Sequence, residues 1–234
     1  MPELADRITT IIVNYKTATL TKACYNTFRA AYSTLPIILI DNFSRDDSTA
    51  YIKSIGKSDP LTTATFHTTN LGHGPAMHVA IKSIKTPFVF TLDSDCEILK
   101  GGLIEAMMQK MDTKANLYAI GWLRWVDKRT GVPYSWHTKP KPPKTPYFNA
   151  YIHPYAAIYR LSMYRQLRPF FDHGAPCLHN MIDAVDRRFD LESFKLEPYV
   201  KHHIAGTRRM FKDYWHPKDD EAPKPWVAKG NHPI

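Results

Sequence analysis

Only three cysteines occur in the chain, Cys24, Cys96 and Cys177, far apart and without a CxxC pair. Neither a disulfide framework nor a zinc ribbon can be built from that set, so reduced thiols are expected. No apolar run approaches the roughly 18 residues that span a bilayer, so no transmembrane segment is expected. The opening Met1-Pro2-Glu3-Leu4-Ala5-Asp6-Arg7 is too polar and acidic for a secretory signal. The expected setting is therefore cytoplasmic, and Asn42-Phe43-Ser44 reads as a chance glycosylation sequon. Internal repeats are lacking, as are the GxxxxGK and GxGxxG phosphate-binding spacings. Acid is in short supply: 22 Asp and Glu face 31 Lys and Arg, a formal charge of +9. That balance favours acidic partners such as nucleotides, nucleic acid or anionic surfaces without choosing among them.

What is present is ordinary for a globular body: 234 residues, 44% hydrophobic and 23% charged, within reach of one α/β domain. Ile8 to Val13 is a β-branched run, and Thr17 to Tyr32 has helical character. The alternation repeats with strands at Ile37 to Ile40, Thr63 to His67 and Phe88 to Leu92, and helices at Asp46 to Ile55, Gly74 to Ile84 and Gly102 to Met111. Strands this apolar, separated by helices, predict a mostly parallel sheet covered on both faces, with functional residues at the carboxyl ends of the strands. Further strands are expected at Leu117 to Trp125 and Tyr151 to Tyr159, and short helices at Ser162 to Leu167 and Asn180 to Phe189. The segment 133–147 is rich in proline and lysine with no acid, which predicts an extended loop. Its Tyr134, Trp136 and Tyr147, with Phe148, suit stacking on a bound ring as well as plain solvent exposure. Residues 210–234 read as an irregular C-terminal tail.

Several strand ends carry chemistry-bearing residues. Phe88 to Leu92 runs straight into Asp93-Ser94-Asp95. Two carboxylates at i, i+2 on a strand share a side and could hold a divalent cation or a ribose; a solvated turn is the alternative. Ile40 leads into Asp41, read as a base or ribose acceptor, followed by Asp46, Asp47 and Ser48, which suit a helix cap. Asn70-Leu71-Gly72 and Gly74 precede a helix and could turn backbone N–H groups toward a phosphate. Near the end, His202-His203 stand before Gly206, Arg208 and Arg209. Imidazole can complete a metal site and guanidinium forks suit a diphosphate. Neighbouring histidines on a strand face opposite ways, so at most one of the pair is a ligand.

Taken in order, Ile11-Ile12-Val13-Asn14-Tyr15, Ile40 to Ser48, Asn70-Leu71-Gly72 and Leu92-Asp93-Ser94-Asp95 resemble the motifs of family 2 glycosyltransferases of the GT-A fold. The resemblance is dense over residues 8–112 and thinner over 151–209. It implies a single GT-A, Rossmann-like α/β domain in which 1–112 is the nucleotide-sugar-binding half and 113–209 the acceptor-binding and catalytic half. It further implies that Val13, Tyr15 and Asp41 hold the nucleobase, that Asn70 and Gly72 belong to the donor side, and that Asp93 approaches the ribose or sugar. Asp95 would bind Mn²⁺ or Mg²⁺ on the diphosphate, with His203 the third metal contact and His202 its substitute. Where the family carries Arg-Asn after the glycine loop this chain has Met77-His78, a departure that Arg208 and Arg209 would offset. The family's base region aligns with Phe171-Asp172-His173 and Asn180-Met181-Ile182-Asp183. Asp183 is the first choice of catalytic base, with Asp172 and His179 behind it, and a structural i, i+4 pair of Asp183 with Arg187 is the alternative.

The implied activity is an inverting, metal-dependent transfer from a nucleotide-sugar donor, UDP-sugar favoured, to a glycan or lipid-linked acceptor. A nucleotidyltransferase would place a glycine-rich basic signature after the first strand, where Asn14-Tyr15-Lys16-Thr17 has no glycine. A nucleic-acid-binding protein would show a basic stripe interleaved with aromatics, whereas the basic residues here are scattered.

Overall fold

The computed structural model describes residues 3–131, 146–171 and 175–203. Within them the chain runs α1 (Leu4–Arg7), β1 (Ile8–Asn14), α2 (Ala18–Ala31), β2 (Ile37–Asp41), α3 (Asp47–Ser58), β3 (Thr62–Phe66), α4 (His73–Ser83), β4 (Phe88–Asp93), β5 (Cys96–Ile98) and α5 (Leu103–Thr113). It continues through β6 (Leu117–Asp127), β7 (Phe148–Arg160), α6 (Leu161–Tyr164), α7 (Leu178–Asp186), β8 (Asp190–Ser193) and β9 (Val200–His202).

Every residue of β1 is buried, as its unbroken apolar run requires of a central strand covered on both sides. Alternate side chains feed two cores. Ile8 and Ile12 pack with Phe28 of α2, Ile52 of α3 and Met107 of α5 on one face. Ile11 and Val13 pack with Met77 of α4 and Met181 of α7 on the other. Each such side chain removed from water contributes about 1.5–3 kcal/mol. Helix α3 starts where expected because the Asp46 carboxylate accepts the Ser48 N–H at 3.0 Å, satisfying one of the donors a helix start leaves unpaired.

The main sheet has seven strands in the order β3-β2-β1-β4-β7-β6-β8. Pairs β1–β2, β1–β4, β2–β3 and β6–β8 are parallel. Strand β7 is antiparallel to both β4 and β6, since it follows β6 as its immediate neighbour instead of returning through a crossover helix. This reversal decides where the site lies. Leu92 pairs with Ala156, so the first half of β7 runs past the carboxyl end of β4.

Small differences from expectation have local causes. The helix expected over Ser162 to Leu167 is one turn, Leu161–Tyr164. The helix expected to reach Phe189 ends at Asp186, and Arg188 leaves it at φ 59°. Strands β5, β8 and β9 were not expected; β5 and β9 pair in a separate two-stranded sheet with Cys96 opposite His202. The expectations for residues 133–145, Asp172, Arg208, Arg209 and the 210–234 tail lie outside the described residues.

Candidate active site

The carboxyl ends of β1 and β2 are joined by one amide. Asn14 is fully buried, and its Nδ2 donates to Asp41 Oδ1 at 3.3 Å and to the hydroxyls of Ser44 and Ser48, each at 2.8 Å. Its Oδ1 accepts from the hydroxyls of Thr17 at 2.9 Å and Thr21 at 2.7 Å. Thr17 is in turn 3.2 Å from the Ser94 hydroxyl, between the two aspartates that follow β4. Asp41 is spent on the same loop: Oδ1 also accepts the Ser44 N–H at 3.0 Å, and Oδ2 accepts the Thr49 hydroxyl at 2.5 Å. The loop so held carries Phe43 and Arg45 at φ 71° and 55°, with the Arg45 guanidinium 3.9 Å over the Phe43 ring. Val13 is buried beside this hub, and the Lys16 ammonium lies 5.2 Å from the centre of the half-buried Tyr15 ring.

Asn42 repeats the device one loop further on. Its Nδ2 donates to Asn70 Oδ1 at 2.9 Å, and its Oδ1 accepts the Leu71 N–H at 3.1 Å. Asn70 Oδ1 also accepts the Gly72 N–H at 2.9 Å. Gly72 has φ 85°, a conformation that suits glycine, and it opens α4 so that His73 points back at the sheet. His73 Nε2 is 3.4 Å from Asp93 Oδ1.

The extended backbone of β4 stops at Asp93, and Ser94-Asp95 form a turn into β5. The two carboxylates consequently meet different imidazoles: Asp93 has His73, whereas Asp95 Oδ1 is 3.4 Å from His202 Nε2. The β5–β9 register brings His202 there across more than a hundred residues of chain. His203 lies one residue further: its backbone N–H donates to the Asp95 carbonyl at 2.9 Å and its Nε2 bonds Glu97 Oε1. Desolvation, reinforced by the Asp95 charge, raises the Asp93 carboxyl above its usual range against the pull of His73 and His202. Burial works to lower His202, but its hydrogen bond to Asp95 and the charges of Asp95 and Asp93 leave it above the usual imidazole value. Two acids and two imidazoles crowded together in this way create a local field that a cation on the carboxylates would relieve.

Asp95, Cys96 and His202 offer ligand atoms that all lie within 4.8 Å of one another. The Cys96 thiol is buried, donates to the Tyr155 carbonyl at 3.6 Å, and is held protonated by burial and by the adjacent Asp93 and Asp95 charges. A carboxylate and an imidazole without a thiolate suit Mn²⁺ or Mg²⁺, with further oxygen ligands, better than they suit zinc.

Beside this turn, β7 and β6 raise an aromatic wall. The Tyr155 ring stacks on His202 at 4.5 Å and 8°. Trp122 stands 5.6 Å from Tyr155 and 5.8 Å from His153, its cross-strand partner. The buried Arg124 places its guanidinium 4.4 Å over the Trp122 ring. Burial lowers the His153 imidazole to about 3, with the nearby His202, Arg124 and His73 acting in the same direction.

Asp183 lies on α7 and is clasped from outside the helix. Arg168 gives it a backbone N–H at 2.8 Å and guanidinium contacts at 2.6 and 3.0 Å. Burial works to raise its pKa, but the Arg168 hydrogen bonds and charge bring it below the usual carboxylate value. His179, one turn earlier, stacks on Phe171 at 4.8 Å.

The sequence matches the Glycosyl transferase family 2 profile over residues 9–170. No curated protein matches the chain by sequence. Among solved structures it is similar to the mannosyltransferase PcManGT from Pyrobaculum calidifontis in complex with GDP-Man and Mn²⁺, at TM-score 0.60 and 14% identity over 80% of this chain and 54% of that one. S. aureus TarS 1-349 in complex with UDP is similar at TM-score 0.58 and 15% identity, covering 83% of this chain and 59% of that one. The complex of TarS 1-349 with UDP-GlcNAc gives TM-score 0.54 and 15% identity, covering 86% and 61%. The chain thus spans somewhat more than half the length of these proteins. Identities this low speak for the fold alone, a GT-A fold, but the profile covers well over half the chain, and on that ground the chain belongs to glycosyl transferase family 2.

Proposed function

We propose that this glycosyltransferase moves a hexosyl or related sugar from a nucleoside-diphosphate donor, UDP-sugar favoured, to a hydroxyl of a glycan or lipid-linked acceptor, with inversion and with Mn²⁺ or Mg²⁺ as cofactor. The observation that carries this reading is the meeting of Asp95 and His202 at the end of β4. The solved structures of similar fold contain GDP-Man with Mn²⁺, UDP and UDP-GlcNAc, which supports a nucleotide-sugar in the same cleft. Asp95 and His202 would hold the ion, His203 standing behind them on Glu97. The ion would offset charge on the departing diphosphate. Val13, Tyr15 and the loop anchored by Asp41 would border the nucleobase, and the Asn70-Gly72 turn would border the donor from the α4 side.

In the transfer the bond from the sugar's anomeric carbon to the diphosphate breaks, a bond to the acceptor oxygen forms on the opposite face, and the acceptor proton passes to a base. Arg168 limits what Asp183 can do in that step, because a carboxylate held ionised by a guanidinium fork is a weak proton acceptor. We assign Asp183 to clasping the 168–170 segment against α7, which leaves Asp172 and His179 as the sequence-based choices of base. Asp183→Asn should accordingly lower the Tm while turnover stays within about tenfold of wild type. A loss of about 10²–10⁴-fold, the range of general-base removal, with Tm and nucleotide affinity intact, would restore the catalytic role.

No helix among the described residues is long and apolar enough to cross a membrane, and Cys24, Cys96 and Cys177 are buried. The direct test is thermal stability with UDP or GDP, with and without Mn²⁺. A ligand present at about 100 times its Kd stabilises by about 2.7 kcal/mol, so a shift of several degrees should appear only when nucleotide and metal are both present. The lack of any shift with either nucleotide in the presence of Mn²⁺ would overturn the reading.

A further inference from the structure

His153 has no part in the chemistry proposed above. His153 lies on the half of β7 that runs beside the Asp93–Asp95 turn: the β4–β7 register ends at Leu92 with Ala156, and continued past that pair it places His153 alongside Asp95. Its ring is held on several sides, by Trp122 at 5.8 Å, Tyr151 at 6.1 Å, Tyr155 at 5.5 Å and His202 at 6.4 Å. The β-bulge between Ile120 and Trp122 turns Trp122 onto it, a common use of bulges near active sites. His153 Nδ1 accepts the Tyr155 backbone N–H at 3.3 Å. A neutral imidazole that accepts at Nδ1 carries its proton on Nε2. No hydrogen bond from that Nε2 is present among the described residues, nor is the atom among the buried polar atoms lacking a partner. A neutral N–H donor is left with no acceptor among the described residues, beside aromatic rings of the kind that pack on sugar C–H faces.

We propose that His153 reads the transferred sugar, its Nε2–H donating to a hydroxyl of the hexose carried by the nucleotide, while Trp122 and Tyr155 bound the subsite. The assignment rests on the glycosyl-transfer reading above and deepens it, separating a sugar-reading position on β7 from the diphosphate-holding pair on β4 and β9. It places the determinant of sugar identity on the antiparallel strand and not on the nucleotide half of the sheet.

The test compares two affinities in the presence of Mn²⁺: that for UDP, which lacks the sugar, and that for UDP-GlcNAc, with GDP and GDP-mannose as the second pair. His153→Ala should weaken the nucleotide-sugar about tenfold, the worth of one hydrogen bond of about 1.4 kcal/mol, and leave the free nucleotide within about twofold. His153→Gln, which retains an N–H donor, should recover part of the loss. His153→Phe, which keeps the ring packing and loses the donor, should behave as His153→Ala. Equal weakening of free nucleotide and nucleotide-sugar would overturn the proposal by showing that His153 merely supports His202. Recovery by Phe, or no change in either affinity, would overturn it as well. Failure of the wild-type protein to bind either nucleotide with Mn²⁺ would bring down the glycosyl-transfer reading and this one together.

Discussion

Asp95→Asn should lower sugar transfer by about a thousandfold or more while the unliganded protein stays folded. The exchange keeps the shape of the side chain and removes only its charge, and the Asp95 side chain is 12% exposed, so little packing is lost. Its imidazole partner His202 stays in place, because β9 is held to β5 by backbone pairing. On the proposed role, what would disappear is the anionic oxygen for a divalent cation, whose stabilisation of a leaving diphosphate is worth several kcal/mol; about 4 kcal/mol corresponds to about a thousandfold in rate. Removing one of two repelling carboxylates should also leave the Tm of the unliganded protein unchanged or slightly higher. Turnover assays across a Mn²⁺ titration, together with binding of Mn²⁺ and UDP by calorimetry, check this. Turnover within tenfold of wild type with an unaltered Mn²⁺ dependence would show that the charge of Asp95 has no part in transfer.

Asn14→Ala should be the most destabilising polar substitution in the described structure, by about 3 kcal/mol. The amide satisfies Asp41, Ser44, Ser48, Thr17 and Thr21 at once, and all five are buried. Each partner stranded without water costs about 1–3 kcal/mol. Some would be satisfied by rearrangement, and Asp41 keeps its bonds to Ser44 and Thr49, so the total falls well short of the sum. For a chain of this size such a loss lowers the Tm by about 6–12 °C. Because Thr17 also touches Ser94, the variant should lose nucleotide affinity even below its melting temperature. A Tm within about 2 °C of wild type would mean that the hub contributes little.

Asn14 is legible in the sequence only as part of a motif and His153 not at all, and neither shows there what its side chain does; the reason is the same for both. Composition and periodicity report which face of an element is apolar; they carry no information about side chains that meet from separate elements. The apolar runs of β1 and β4 were legible because burial on both faces demands them, and Asp93 and Asp95 because they interrupt such a run. Asn14 merely ends one, beside Tyr15 and opposite Asp41, whose side chains carry the more evident chemistry. Strand β5 is Cys-Glu-Ile and β9 Val-Lys-His, too short for any period, and their pairing joins segments about a hundred residues apart.

The choice between His202 and His203 shows the limit closely. Strand alternation says that one of two adjacent rings faces the carboxylates, but which one depends on a register that only the pairing of Cys96 with His202 establishes. The family resemblance favoured His203; in the structure the ring beside Asp95 belongs to His202, and that of His203 bonds Glu97. Likewise the expected structural partner of Asp183 was Arg187 on its own helix, whereas the fork that grips it is Arg168.

The joining of β5 to β9 also has a bearing on synthesis. Domains form as the chain leaves the ribosome, at about 5–20 residues per second. Strands β1 to β4 are all complete by Asp93, but Asp95 cannot meet its imidazole until His202 has emerged. On the proposed reading, a nascent chain halted before that point would hold β1 to β4 but only Asp95 of the Asp95–His202 pair, and should not act on a sugar donor until nearly the whole described fold is in place.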